Sequence, residues 1–334
     1  MKFGPVPVDE AEGCILAHAL QPVSGQPRVA KGTRLTASEI TELKRAGHVT
    51  LIVARLEADD ITEDAAAGLL AKALVPDPAQ SGVRLTAART GRVNVVALGP
   101  GIVQIDAAGI RAVNAVNPMV TVATLPEWQR VTKGTLIATI KIISYAVPRA
   151  DIDRACKQGA GSLGILAPAV ATAALIETEI PGKVFSDKGQ DALRMRLDRL
   201  AVSMAPSVTV AHEVAALTAA LQAARGDVLF ILTGSATSDV DDVAPSAVRQ
   251  AGGVVDHFGM PVDPGNLLFL GQLNGRPVIG LPGCARSPAL NGADWVLERV
   301  ICGVPPTPGD IAAMGVGGLL KEIPQRPSPR RGSG

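Results

Sequence analysis

The sequence predicts an α/β protein: a mostly parallel sheet with helices on both faces, preceded by a small α/β unit and a β-rich subdomain. Three observations predict it. After Pro148, strand-like and helix-like periods alternate, the pattern of βαβ connections. The apolar run Val228–Leu232 breaks into Thr233, Gly234, Ser235, Ala236, Thr237 and Ser238. A Gly/Ser/Thr loop between a strand and a helix is how such sheets build a phosphate site. Between residues 83 and 148, short β-favouring runs are separated by turn signals.

Taken in order, Thr36 and Glu39 form a capping box, with Leu35 and Ile40 as its hydrophobic staple. The helix they start presents Ile40, Leu43 and Ala46 on one face and ends at Gly47. A strand follows with Val49, Leu51 and Val53 inward. Asp60 to Glu63 reads as the opening of an alanine-rich helix that runs to about Leu74 and stops before Pro76 and Pro78. Residues 93–98, 102–105, 120–124 and 136–143 read as strands. Gly91 and Arg92 precede the first, with Arg92 read as a solvated turn residue.

Beyond Pro148, strands are expected at 172–178, 208–210, 228–232 and 254–258. Helices carry Leu193, Leu197 and Leu200, then Val214, Leu217 and Leu221, then the stretch from Val243 to Gly252. Asn274 and Gly275, between two apolar runs, mark a hairpin because both tolerate positive φ. A last helix holding Trp295 ends at Gly303. The domains expected are 1–78, 79–150 and 151–305, with 306–334 a linker or disordered tail.

Composition narrows the function classes. A 334-residue chain that is 47% hydrophobic can bury real cores, and 2% aromatic content leaves no base-stacking platform. With 32 basic and 31 acidic residues there is no polyelectrolyte signature, so no nucleic-acid partner is expected. Four cysteines and four histidines fall in no metal or disulfide spacing, which fits a reducing cytosol. The N-terminus lacks a signal-peptide core, and the apolar stretch 164–176 is broken by Pro168 and too short for a bilayer. A soluble cytoplasmic protein with no membrane partner is the expectation.

The chemistry-bearing residues gather at predicted strand ends, where open α/β sheets bind ligands. Glu179 follows one strand. Asp242 follows the 233–238 loop at a helix N-cap, next to Asp239 and Asp241, and reads as a cap or as a carboxylate handling a metal or proton. Backbone N–H groups and the hydroxyls of Thr233, Ser235, Thr237 and Ser238 suit a phosphate. Pro264 with Gly265, and Pro282 with Gly283, form two Pro-Gly turns flanking one hairpin. Arg286 reads as an anion clamp or a surface charge, and Cys284 as a small apolar residue.

Asp242 with Pro245, the segment 260–266, and Gly280 through Gly283 resemble the motifs of the molybdopterin-binding domain. That domain is shared by molybdenum insertases and molybdopterin adenylyltransferases. The resemblance covers about residues 170–303, and Lys31 to Leu35 is similar to the N-terminal part of the insertases. It implies a three-layer α/β/α domain in which Asp242 is the active-site aspartate near the metal. It further implies that Glu179 is a second acid, that Asp187 is a metal-site aspartate, and that Gly234, Pro264, Gly265, Pro282 and Gly283 hold the pterin phosphate and ring. His257 through Asn266, with Pro282 through Ser287, is more similar to the domain found ahead of molybdenum cofactor nucleotidyltransferases.

The 233–238 loop has lost two glycines of the insertase pattern, so binding rather than chemistry is expected. The reading is a protein that binds molybdopterin or molybdenum cofactor during cofactor biosynthesis, with molybdate and Mg²⁺ as further ligands. It would assist molybdate insertion (as a molybdotransferase-like transferase) or nucleotide attachment. A nucleotidyltransferase or a molybdoenzyme is the implied partner, and a homodimer the implied assembly. Competing readings are a non-catalytic carrier or sensor, and a nucleotide-amide hydrolase on the same fold.

Overall fold

The computed structural model describes residues 1–22, 27–182, 186–263 and 265–320. The protein is a mixed α/β structure with several sheets. Its chain divides into two compact units: residues 1–98, 103–129 and 133–165 form the first, and 99–102, 130–132 and 166 onward the second.

The first unit opens with β1 (Lys2–Pro7), β2 (Ile15–Leu16), α1 (Ala37–Arg45) and β3 (Thr50–Arg55). The strands pair antiparallel in the order β1-β3-β2 over a core of Leu16, Leu35, Leu43, Leu51 and Val53. Thr36 and Glu39 close the expected capping box of α1, and Leu35 and Ile40 are both buried. Leu51 and Val53 face inward as the alternation requires. Val49 is instead 78% exposed, because it precedes the strand.

Next come β4 (Asp60–Thr62), α2 (Glu63–Leu74), β5 (Val83–Leu85), β6 (Arg92–Ala97) and β7 (Gly101–Ile105). After them are α3 (Ala107–Val116), β8 (Val120–Thr124), β9 (Arg130–Val131, whose residues belong to the second unit), β10 (Leu136–Ile142), β11 (Ala146–Pro148), α4 (Arg149–Gln158) and β12 (Leu163–Leu166). Asp60 to Thr62 form a strand and not the opening of the helix, which begins at Glu63. They pair antiparallel with β11, and the Asp60 carboxylate is taken by the Met1 amino group at 2.7 Å and the Glu57 N–H. β5, β6, β10 and β8 form a four-stranded antiparallel sheet, and α2 packs against β6 and β10. Within the expected β-rich stretch, α3 is a helix: Asp106 caps it by accepting from the Ala108 and Gly109 N–H groups. Trp128, at φ 62, lies in this unit.

The second unit holds β13 (Thr172–Glu179), α5 (Lys188–Asp198), β14 (Ser203–Met204), β15 (Val208–Ala211), α6 (Val214–Ala223) and β16 (Val228–Leu232). It continues with α7 (Val243–Gln250), β17 (Val254–Met260), β18 (Asn266–Leu273), β19 (Arg276–Leu281), α8 (Gly292–Ile301) and α9 (Pro308–Ala313). The described strands run β14-β13-β16-β19-β18-β17, with β15 also paired to β13. β13, β14, β15, β16 and β19 are parallel; β18 and β17 complete the edge antiparallel through the Asn274–Gly275 turn, at φ 52 and 75.

Ala174, Ile176, Leu229 and Ile231 of the central strands pack against Leu217, Leu221, Ala244, Ala247 and Val248 of α6 and α7. Alternation turns Leu175, Phe230 and Leu232 to the other face. There Gly189 of α5 lies so close to Leu232 that an added Cβ would sit 2.2 Å from it. α8 is buried along its whole length except for the half-buried Trp295. Residues 308–313 of the expected tail are helical: Pro308 starts α9, and Thr307 with Asp310 forms its capping box. The rest of that expectation, from residue 321, lies outside the described residues.

Candidate functional site

Parallel pairing of β13, β16 and β19 brings their carboxyl ends, and the loops that follow them, to one edge of the sheet. The 233–238 loop is tied to the first of these ends by its backbone. Gly234 N–H donates to Thr178 Oγ1 at 2.9 Å, and Thr178 Oγ1 lies 2.8 Å from Nδ1 of His212. A Cβ on Gly234 would sit 2.7 Å from the Thr178 carbonyl oxygen, so only glycine allows this approach. Arg286 ties the loop to the third end. Its guanidinium donates to the Thr233 carbonyl at 2.9 Å from the short 3-10 turn Gly283–Arg286 that follows β19.

Inside the loop, the Thr233 hydroxyl donates to the Ser235 carbonyl at 2.5 Å and lies 3.3 Å from Oγ1 of the buried Thr237. Ser238 is exposed, and its N–H donates to Oδ2 of Asp242 at 2.9 Å. Oδ1 of Asp242 accepts from Val243 N–H at 2.7 Å, so this carboxylate caps α7 and clasps the loop together. Asp239 accepts from Asp241 N–H, while Asp241 pairs with Arg249 at 2.7 Å.

Glu179 is exposed at the end of β13, and its backbone lies beside Gly234. Asp187 is exposed at the N-cap of α5 and makes no capping hydrogen bond there. Gly265 has φ 96 and nothing within 4 Å of its absent side chain, while Pro264 lies outside the described residues. Pro282 is buried and Gly283 exposed at the turn after β19. Cys284 Sγ accepts from the Asn291 amide at 3.6 Å. Thus hydrogen bonds link Thr233 to Thr237 and Arg286, Gly234 to Thr178, and Ser238 to Asp242. Asp187 enters the set through a different residue, Glu177.

Glu177 is the residue that periodicity and motif spacing did not reveal. It is 1% exposed, and neither of its carboxylate oxygens has a hydrogen-bond partner. Burial pushes its carboxyl up, the Arg286 guanidinium offsets part of that, and the Asp187 carboxylate adds to it. The one sequence signal for it is an acid inside the otherwise apolar run of a parallel strand. Asn266 Nδ2, at the start of β18, is another buried side-chain atom without a partner. Among the described residues, no group of three or more His, Cys, Asp or Glu side chains is placed to hold a metal ion.

Comparison with known proteins adds two likenesses. A family model described as Domain of unknown function (DUF8806) matches residues 5–55, in the first unit. Among solved structures, the molybdopterin biosynthesis moea protein from Pyrococcus horikosii is similar at a TM-score of 0.30 and 15% identity, over 90% of this chain and 75% of that one. No curated protein matches the chain. No helix among the described residues is long and apolar enough to cross a membrane. Neither likeness assigns an activity to this chain.

Proposed function

We propose that the second unit is a three-layer α/β/α domain that binds molybdopterin or the molybdenum cofactor and serves molybdenum cofactor biosynthesis. The observation that carries the reading is the pair of ties made by Gly234 to Thr178 and by Arg286 to Thr233. They gather the loops bearing the resembling motifs at the strand ends, where an open α/β sheet takes its ligand. In this reading the hydroxyls of Thr233, Ser235, Thr237 and Ser238, together with Arg286, hold the terminal phosphate. The turns at Gly265, Pro282 and Gly283 frame the ring.

Asp242 supplies fixed negative charge beside the phosphate, with Glu179 and Asp187 farther out. Among the described residues these acids form no group placed to hold a metal ion, so a Mg²⁺ at this site would be held by ligand oxygens and water. If such an ion were bound, it would neutralise phosphate charge next to the three acids Asp239, Asp241 and Asp242.

The test is a molybdopterin titration of wild type, Asp242→Asn and Asp242→Ala, with and without molybdate, following the bound species. Tight binding that depends on Asp242 is the expected result. Absence of pterin binding, or binding and molybdate handling indifferent to both substitutions, overturns the reading. A carrier that binds without turnover is the second reading. It is favoured by the engagement of both Asp242 oxygens with backbone N–H groups. Molybdate-dependent turnover by the pure protein would sink it.

A further inference from the structure

Glu177 calls for a physical explanation. Buried polar groups in folded proteins are nearly always paired, and a buried carboxylate without donors is costly. On β13 it stands in register with Leu232 of β16, on the face opposite Ala174 and Ile176 and toward α5. Its charged neighbours are Arg286 and Asp187. Arg286 does not satisfy it, since that guanidinium donates to the Thr233 carbonyl. A cation is a poor occupant beside a guanidinium, and no third metal-ligating side chain joins Glu177 and Asp187 among the described residues.

We propose that Glu177 is the specificity-determining acceptor of this site, its two oxygens taking a pair of adjacent N–H donors from the amidine-like edge of a 2-aminopyrimidinone ring. The inference rests on the reading of the second unit as a pterin site only for the identity of the molecule that carries that ring. A flat carboxylate with both oxygens free matches two parallel N–H donors better than it matches a single amine. Both Glu177 oxygens are buried, so a ring reaches them only when neighbouring side chains move, and the half-exposed Arg286 is the charged neighbour whose movement this proposal requires. The stability sacrificed by leaving Glu177 unpaired is recovered as discrimination, because a ring lacking the amino donor leaves an oxygen unpaired in the complex.

The test uses the full chain and two pairs of rings that differ in one exocyclic group: isocytosine against uracil, and pterin against lumazine. Each is titrated calorimetrically into wild type and Glu177→Gln, and thermal unfolding of both proteins is recorded. Wild type is expected to favour the amino member of each pair by about tenfold or more. Glu177→Gln should lose that preference while melting no lower than wild type, since the unpaired buried carboxylate is gone. Equal affinities within both pairs in wild type, a preference that survives Glu177→Gln, or binding of none of the four rings overturns the proposal. A preference for isocytosine without any pterin binding supports the role of Glu177 and removes the pterin reading alone.

Discussion

One carboxylate, that of Asp294, joins two helices. Its Oδ1 accepts from Nε of Arg196 on α5 at 2.5 Å, and its Oδ2 accepts from Asn291 N–H at 2.8 Å to close the capping box of α8. The same Arg196 donates to the carbonyls of Ala285, Ser287 and Ala289, and so holds the segment that carries Arg286. Both partners of the ion pair are buried. Arg196→Ala strands the carboxylate and frees the 285–289 segment, so a loss of about 3–5 kcal/mol is expected in chemical denaturation. Arg196→Lys should recover little of it, because an ammonium cannot reproduce the guanidinium fork.

Glu298 makes the second unit sensitive to pH. It is buried on α8, and Nε of Arg130 donates to it at 2.7 Å. Burial nevertheless pushes its carboxyl from the ordinary value of 4.5 to about 7, with Arg130 and Arg199 opposing the rise and Asp294 adding to it. A raised folded-state value means that the folded form binds the proton more tightly. Its stability contribution is therefore complete below about pH 4.5 and is lost as the pH rises through about 7. Each tenfold change in proton affinity corresponds to about 1.4 kcal/mol, so the difference in unfolding free energy between wild type and Glu298→Gln should move by about 3 kcal/mol across that window. Denaturation series from about pH 4 to about pH 8 check it. A constant difference would show that Glu298 titrates normally.

Gly234 and Gly265 should separate crowding from backbone strain. Gly234→Ala places a methyl 2.7 Å from the Thr178 carbonyl oxygen and should cost about 1–3 kcal/mol while prying the loop from β13. Ligand affinity should fall with it. Gly265→Ala meets no atom within 4 Å, and its φ of 96 should make the cost about 1 kcal/mol of backbone strain. Unfolding midpoints and pterin titrations of the two variants make the comparison.

Asp242 should give different results with its two substitutions. Alanine removes the cap of α7 and should cost about 1 kcal/mol, whereas asparagine keeps an oxygen acceptor and should cost a few tenths. A binding loss confined to Asp242→Ala would trace to the cap, and a loss in both to the charge. Paired stability and binding curves distinguish them.

The local signals read well. The Thr36–Glu39 box, the Asn274–Gly275 turn and the strand Val228–Leu232 depend on neighbours in sequence, and the structure contains all three. The failures have physical causes. Asp60 reads as the start of a helix, but it lies in a strand and a distant partner, the Met1 amino group, claims its carboxylate. α3 is short and contains Ile110 and Val113 in a stretch otherwise rich in strands, so its Asp106 cap is the signal that outweighs them. Arg196 and Glu177 lie out of reach for a different reason. Arg196 finds its partners 89 to 98 residues away, and Glu177 is distinguished by what it lacks. Motif spacing locates the loops of the site, while the groups behind them emerge only once the sheet has brought distant segments together.

The division of the chain into two units also has an optical consequence. The sequence contains two tryptophans, and Trp128 belongs to the first unit while Trp295 lies in α8 of the second. Both are half-buried, so unfolding changes the surroundings of each indole. With Trp128→Phe only the second unit reports by fluorescence, and with Trp295→Phe only the first. The protein thus carries one intrinsic fluorophore per unit, and the order in which the units melt can be watched without attaching a label.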